Sequence, residues 1–312
     1  MALAASRAAQ VIDYLSNHPG QPMSLTEIAR ALDINAASTL AVLAALADAG
    51  YVVRHPRHKT YTLGAALVAV GHAALAQHPA LDAAREELAL VADEIEAQCT
   101  ASVLMGDLLV AVVAQGRARS AGTWSQVGTR VPFSAPFGAP FAAHGSEGMK
   151  LRWFGGEHVS QRRVQRLARA LDEVVQRGYA VWPDSDTREE LARQLLAQAD
   201  APKDAALRQE VQRLLEELSD SFVTVNLNQD QPVDVANVTV PVFSPSGEVI
   251  MILTGVGFAS PLNGVAVAEV GDRLRASAEM IGARTFGGPG SAPRPPKATT
   301  TAHSSSFRSS ST

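Results

Sequence analysis

The stretch SLTEIARALDINAASTLAVLAALADAGYVVRHPRHKTYTLG, from Ser24 to Gly64, decides the fold of the N-terminal region. Ser24 can cap a helix, and Glu27 three residues later completes a capping box. The turn Asp33-Ile34-Asn35 then leads into a further helix, predicted over 36–49, with Leu40, Val42, Leu43 and Leu46 facing inward. Because an earlier helical pattern precedes Ser24, the order is helix, helix, turn, helix.

Two strand-like runs follow this third helix and enclose a basic loop. The runs are Tyr51-Val52-Val53 and Thr60-Tyr61-Thr62-Leu63, and no acidic residue lies between Asp48 and Asp82. A helix-turn-helix followed by such a hairpin predicts a winged helix that binds double-stranded DNA.

Seven polar residues are the candidates for DNA contact in this region. Asn35, Ser38 and Thr39 occupy the start of the third helix, where side chains can reach base edges or phosphates. Asn35 fits a helix cap equally well, and Ser38 and Thr39 fit a solvated surface. The wing contributes Arg54, Arg57, His58 and Lys59, which suit phosphate contact but also a solvated hairpin.

The rest of the chain predicts an α+β domain around an antiparallel sheet. Strands are predicted over 101–105, 108–114, 222–227, 235–243 and 249–257, with helices over 82–97, 161–177, 188–198, 206–219 and 264–284. We expect a winged helix over 1–64, a linker helix over 65–80, an effector domain over 81–285 and a disordered tail over 286–312.

Composition narrows the class of protein. The net charge of -4 and pI near 6.1 give no global signal for nucleic-acid binding, so that signal is local to the wing. Cys99 is the only cysteine, which excludes an intrachain disulfide and fits a reducing cytosol. The longest strongly apolar run, Val249 to Phe258, is too short to span a bilayer. We therefore expect a cytoplasmic protein outside the membrane.

The chain lacks a recognisable catalytic pattern. His144 has no Cys, Asp or second His at a catalytic or metal-binding spacing, and Cys99 at a helix end reads as a small apolar residue. The glycines near Gly287 are not followed by a helix, as a phosphate-binding loop would require. No catalytic residue, metal or cofactor is predicted, and a hydrolase or transferase is disfavoured.

Several short motifs resemble the isocitrate lyase regulator (IclR) family of transcription regulators. The residues that carry the resemblance are Gly50-Tyr51-Val52, Tyr61-Thr62-Leu63-Gly64, Val127-Gly128-Thr129-Arg130-Val131-Pro132, Arg177-Gly178-Tyr179-Ala180, and Pro241-Val242-Phe243 with Gly247. The resemblance covers about residues 6 to 285. It implies a DNA-binding domain joined through a helix to a GAF-like effector domain, usually in homodimers or homotetramers.

Two features depart from the family pattern. Ala36, Leu40 and Ala41 stand where members usually carry Lys, His or Arg on the recognition helix. The segment between Gly178 and Pro241 is longer than in typical members, with inserted helical sequence.

The effector domain is expected to bind a small molecule. The Gly/Pro/Phe-rich stretch Val127–Gly145 predicts a pocket wall, with Gly138 allowing close approach. The polar candidates lie on or beside the later strands: Asn226, Asn228, Asp230, Asn237 and Thr254. Each also has a structural interpretation, as a satisfied strand edge or a turn residue.

These observations predict a transcription regulator, with repression favoured. A metabolite would adjust its affinity for DNA by binding more tightly to one of two dimer arrangements. The alternative is a metabolite-binding module whose winged helix serves protein association rather than DNA binding.

Overall fold

The computed structural model describes residues 3–18, 20–117, 126–156, 159–201, 204–222, 232–258 and 261–287. The strand predicted over 222–227 and the tail predicted from 286 lie almost entirely outside the described residues.

The N-terminal region folds around three helices and a small sheet. Its elements are α1 (Leu3–Ser16), β1 (Met23–Ser24), α2 (Leu25–Leu32), α3 (Ala36–Asp48), β2 (Val52–Arg54) and β3 (Thr60–Leu63). The capping box forms: the Ser24 hydroxyl accepts from Glu27 N, and the Glu27 carboxylate accepts from Ser24 N at 2.7 Å. The strands pair antiparallel in the order β1-β3-β2, and Val11, Ile28, Leu43 and Val52 fill the core beneath them. The predicted winged helix-turn-helix is confirmed.

Two helices connect this region to a larger sheet. They are α4 (Ala66–Ala76) and α5 (Pro79–Glu94). The sheet contains β4 (Gln98–Met105), β5 (Leu108–Gln115), β6 (Arg130–Pro132), β7 (Ala180–Pro183), β8 (Val235–Phe243) and β9 (Val249–Val256). All neighbours pair antiparallel, in the order β6-β5-β4-β9-β8-β7. The α+β fold predicted from the sequence is confirmed.

Helices cover both faces of this sheet. The remaining helices are α6 (Ala139–Ala143), α7 (Glu147–Phe154), α8 (Gln161–Arg177), α9 (Asp186–Asp200), α10 (Ala205–Phe222) and α11 (Gly264–Phe286). One face packs against α5 and α11 through a cluster that includes Val240, Leu253 and Leu274. The opposite face packs against α6 to α8 through residues such as Trp153 and Leu167. Helices α9 and α10 form a hairpin with a separate apolar cluster.

Some local predictions need correction. Leu40 was expected to face the core but is 52% exposed, because the inward positions of α3 are taken by Thr39, Leu43 and Leu46. The stretch over 127–145 was expected only as a pocket wall, yet it also forms β6 and α6. Among the described residues no single helix is long and apolar enough to cross a membrane. Helices α2 and α3 together have the length and apolar composition of a span, but they are bent by 114° where they meet.

Candidate functional site

The wing presents its cations to solvent. Arg54, Arg57, His58 and Lys59 are all exposed, and within the described ranges none of them pairs with a carboxylate. The loop between β2 and β3 is held by its own backbone: His55 N donates to Thr60 O at 2.7 Å, and Lys59 N donates to His55 O at 2.9 Å. Fixed, unneutralised charges on a short hairpin are what contact with a phosphate backbone requires.

The start of α3 uses two of its three polar side chains for internal structure. The Asn35 Oδ1 atom accepts from Ser38 N at 2.8 Å, so Asn35 caps the helix. Thr39 is fully buried, and its hydroxyl donates to Asn35 O at 3.1 Å. The Thr39 side chain therefore lies in the core and not on the surface where the sequence predicted DNA contact. Ser38 remains partly exposed at the start of the helix.

The exposed side of α3 is made of small and apolar side chains. Ala36, Ala37, Leu40 and Ala41 all face solvent. Such side chains make apolar contacts, for example with a thymine methyl group, but they supply no hydrogen bonds to base edges. The polar reach of this surface therefore comes from Ser38 and from the wing.

A row of polar side chains crosses the large sheet. Thr100, Thr254 and Thr239 are direct neighbours on β4, β9 and β8. The Thr239 hydroxyl donates to Asn237 Oδ1 at 3.3 Å and lies 3.1 Å from the Thr254 hydroxyl. Because Thr239 has one hydroxyl proton, Thr254 is the donor in that second contact. Asn237 is left with its amide N–H groups, and Thr254 with acceptor lone pairs, for a further partner.

This polar row shares a face of the sheet with an aromatic pair. Thr239 is opposite Ala180, and Asn237 is opposite Trp182, so all four point to the side covered by α6 and α8. The Trp182 ring meets the Phe137 ring edge to face, with centroids 4.6 Å apart. Small-molecule sites combine apolar walls with a few hydrogen-bonding groups, and this end of the sheet has both.

The structure brings together only part of the predicted effector set. Asn237 and Thr254 are joined through Thr239, whereas Asn226, Asn228 and Asp230 lie outside the described residues. Gly138 is buried at the start of α6 with φ of 69°, and a Cβ there would lie 2.8 Å from Leu109 Cδ1. Its role in the structure is therefore close packing against its neighbours.

The sequence interpretation missed three polar residues of this face. Gln98, Thr100 and Thr239 are buried and belong to the same face as Asn237 and Thr254. The signal was present as polar residues at every second position, at Gln98, Thr100 and Ser102 and again at Asn237 and Thr239, since alternate strand residues share a face.

Two other chemically reactive side chains lie away from this row, Cys99 in the core and His144 in a half-buried position. Cys99 is fully buried, and burial raises the pKa of its thiol to about 12, so the nucleophilic thiolate is disfavoured. Burial also lowers the pKa of His144, whose ring packs edge-on against Phe243 at 4.9 Å. Within the described ranges, no group of three or more His, Cys, Asp or Glu side chains is placed to hold a metal ion.

The described residues thus form two parts: a winged helix whose wing cations pair with no described carboxylate, and an α+β domain with a partly polar sheet face. Residues 4–56 match the IclR helix-turn-helix domain family. The predicted resemblance to the IclR family is confirmed for this N-terminal helix-turn-helix region.

Solved structures of this type share the fold over nearly the whole chain. An IclR transcriptional regulator from Alicyclobacillus acidocaldarius is 22% identical with a TM-score of 0.66, over 91% of this chain and 99% of that one. HmgR of Pseudomonas aeruginosa is 21% identical with a TM-score of 0.60, over 90% and 98%. An IclR homologue from Microbacterium hydrocarbonoxydans, solved with 4-hydroxybenzoate, is 15% identical with a TM-score of 0.59, over 89% and 98%. No curated protein sequence matches the chain.

Proposed function

We propose that this protein is a homodimeric transcriptional repressor whose operator affinity is lowered by a small polar organic molecule bound in the larger domain. The observation that carries the proposal is the set of exposed, unpaired wing cations beside the recognition helix of an IclR helix-turn-helix domain. The candidate DNA contacts are Ser38, Arg54, Arg57, His58 and Lys59. Asn35 acts as the cap that orders the first turn of α3.

The linker helix α4 supports the proposed dimer. Its sequence, ALVAVGHAALA, is almost entirely apolar, and of its 11 residues, all described, none is buried. Val68 is 75% exposed and Val70 is 50% exposed. A helix that is apolar on all sides is stable in water only when something covers it. A second copy would cover it and would also pair two winged helices on the two half-sites of an operator.

The proposed effector site is the polar row of the sheet beside Phe137 and Trp182. Asn237 supplies donors and Thr254 supplies acceptors, while the two aromatic rings favour a flat or apolar part of a ligand. The Microbacterium neighbour was solved with 4-hydroxybenzoate, a small ring with polar ends. That compound is the first probe to use, in a panel of small aromatic and aliphatic hydroxy acids.

Selection of bound fragments from the source genome, followed by anisotropy titration with and without the panel, tests the function. The expected result is one enriched palindromic sequence and at least a tenfold weaker affinity with one compound. Enrichment of no sequence, together with unchanged association of the protein with itself, would favour the alternative of a metabolite-binding module. An affinity for DNA that no compound of a broad panel changes would contradict the proposed effector.

The dimer is tested by placing a charge on α4. Val68→Glu is expected to shift the sedimentation coefficient from dimer to monomer at micromolar concentration, because the acid would be buried in the interface. Val265→Glu is the matched control, since Val265 is 48% exposed on α11, far along the chain from the linker. A Val68→Glu protein that sediments like the control would contradict the assignment of α4 to the interface.

A further inference from the structure

The hairpin of α9 and α10 contacts both functional parts of the chain. Near its start, Phe137 packs against the apolar cluster formed by Leu191, Leu214 and Leu218. Phe137 is also the residue whose ring meets Trp182 in the proposed effector site. The hairpin therefore packs against one residue of that site, Phe137.

The far end of α9 reaches the DNA-binding domain. Asp200, the last residue of α9, pairs through its carboxylate with Nε2 of His18, just beyond the end of α1. The His18 side chain is only 9% exposed, and its Nδ1 lies 2.7 Å from Tyr14 O. The His18 ring therefore joins the end of α1 to the end of α9 through its two nitrogens.

Neighbouring contacts support this pairing. The His18 ring packs on the Tyr14 ring with centroids 4.5 Å apart, and burial together with the Asp200 charge raises the pKa of Tyr14. Five residues before His18, Asp13 of α1 forms a second ion pair with Arg130 of β6 at 2.8 Å. Helix α1 therefore meets the larger domain at both α9 and the edge of the sheet.

Two side-chain contacts brace the base of the hairpin. The Arg188 guanidinium contacts both carboxylate oxygens of Asp184, at 2.7 and 3.1 Å, at the base of α9. Thr187 donates to Glu217 at 2.8 Å and so joins the two helices of the hairpin. A 15-residue helix is about 22 Å long, which gives α9 the reach of a rigid rod between the two ends.

We propose that the α9–α10 hairpin transmits the packing state of the effector site to the DNA-binding domain through the Asp200–His18 contact. A ligand that moves Phe137 displaces the base of the hairpin, and the rigid α9 carries that displacement to Asp200. The winged helix is held in one position relative to the larger domain while the Asp200–His18 contact is intact. It is released when that contact breaks. This inference names the route of regulation and rests on the proposed effector site.

The test measures the position of the DNA-binding domain without effector or DNA. Spin labels are placed at the exposed residues Gln10 of α1 and Gln165 of α8, as cysteine variants, and their distance distribution is measured by double electron–electron resonance. Buried Cys99 stays unlabelled. Dilution with excess unlabelled protein isolates distances within one chain.

Asp200→Ala is expected to raise the fraction of molecules outside the native distance peak at least threefold. Glu189→Ala, which removes an exposed carboxylate from the same helix, is expected to leave the distribution unchanged. Phe137→Leu should mimic Asp200→Ala and add nothing in the Asp200→Ala background, because both act on one route. Trp182→Phe replaces Phe137→Leu if circular dichroism shows that the latter does not fold.

A native distribution in Asp200→Ala would overturn the proposal, as would additive effects of Phe137→Leu and Asp200→Ala. Neither outcome bears on whether an effector binds, because no effector is present. Conversely, an effector panel that leaves DNA affinity unchanged would refute the proposed function while leaving the mechanical coupling measurable.

Discussion

The wing is expected to supply a large, salt-dependent part of DNA affinity, and Arg57→Ala combined with Lys59→Ala tests this. Both side chains are exposed and unpaired within the described residues, so each is available for a phosphate. The proposed dimer carries two wings, so the double variant would remove up to four phosphate contacts from one operator complex.

The magnitude follows from counterion release. Each lost phosphate contact lowers the slope of log affinity against log salt by about 0.9, so four contacts lower it by about 3.6. Between 50 and 200 mM salt, the affinity ratio of native to variant protein should therefore shrink by about 150-fold. The small apolar exposed side of α3 cannot compensate for this loss.

The assay is fluorescence anisotropy with an operator duplex at four salt concentrations. Arg162→Ala with Arg169→Ala is the control, because it removes the same charge from exposed positions of α8 in the larger domain. Equal slopes for the wing variant and native protein would refute the reasoning, especially if Ser38→Ala alone abolished binding. If the wing contributes as expected, Ser38→Ala should instead change the discrimination between operator variants, by about 1–3 kcal/mol for a lost base contact.

Three further predictions concern the larger domain. The Cys99 thiol should react with Ellman's reagent only on unfolding, because it is buried and its pKa is about 12; fast reaction of native protein would contradict this burial. Burial lowers the pKa of His144, so its contribution to the free energy of unfolding should be fully present above pH 6.5 and be lost as the pH falls through the lowered pKa. In urea unfolding measured against pH, His144→Phe should flatten the profile below pH 6.5. Gly138→Ala should lower the free energy of unfolding by about 2 kcal/mol, since its φ is 69° and a Cβ would meet Leu109; Gly247→Ala, also at positive φ but in open space, separates backbone strain from the clash.

The sequence was most informative where local chemistry alone determines structure. The capping box at Ser24 and Glu27 and the turn at Asp33 use contacts between residues a few positions apart, so they were predictable before any tertiary structure. Helix α8 was predicted over 161–177 and is observed as Gln161–Arg177, because its apolar stripe repeats at the helical period.

The candidate sites were less predictable, because they depend on which way a side chain points. Thr39 has a side chain that can hydrogen-bond to a base, but the packing of α3 places it in the core. The row from Thr100 to Thr239 requires the strand order β4-β9-β8, which joins residues far apart in sequence. The contact between His18 and Asp200, 182 residues apart, has no local signal at all.

The linker helix bears on the spacing between the two half-sites of the proposed operator. An isolated helix of 11 residues is shorter than those that persist in water, typically about 12–15 residues, and α4 buries none of its side chains within the chain. Its order must therefore come from whatever packs against it. In the proposed dimer, the separation of the two winged helices, and hence the number of base pairs between half-sites, would be a property of the assembled pair of chains and not of either chain by itself.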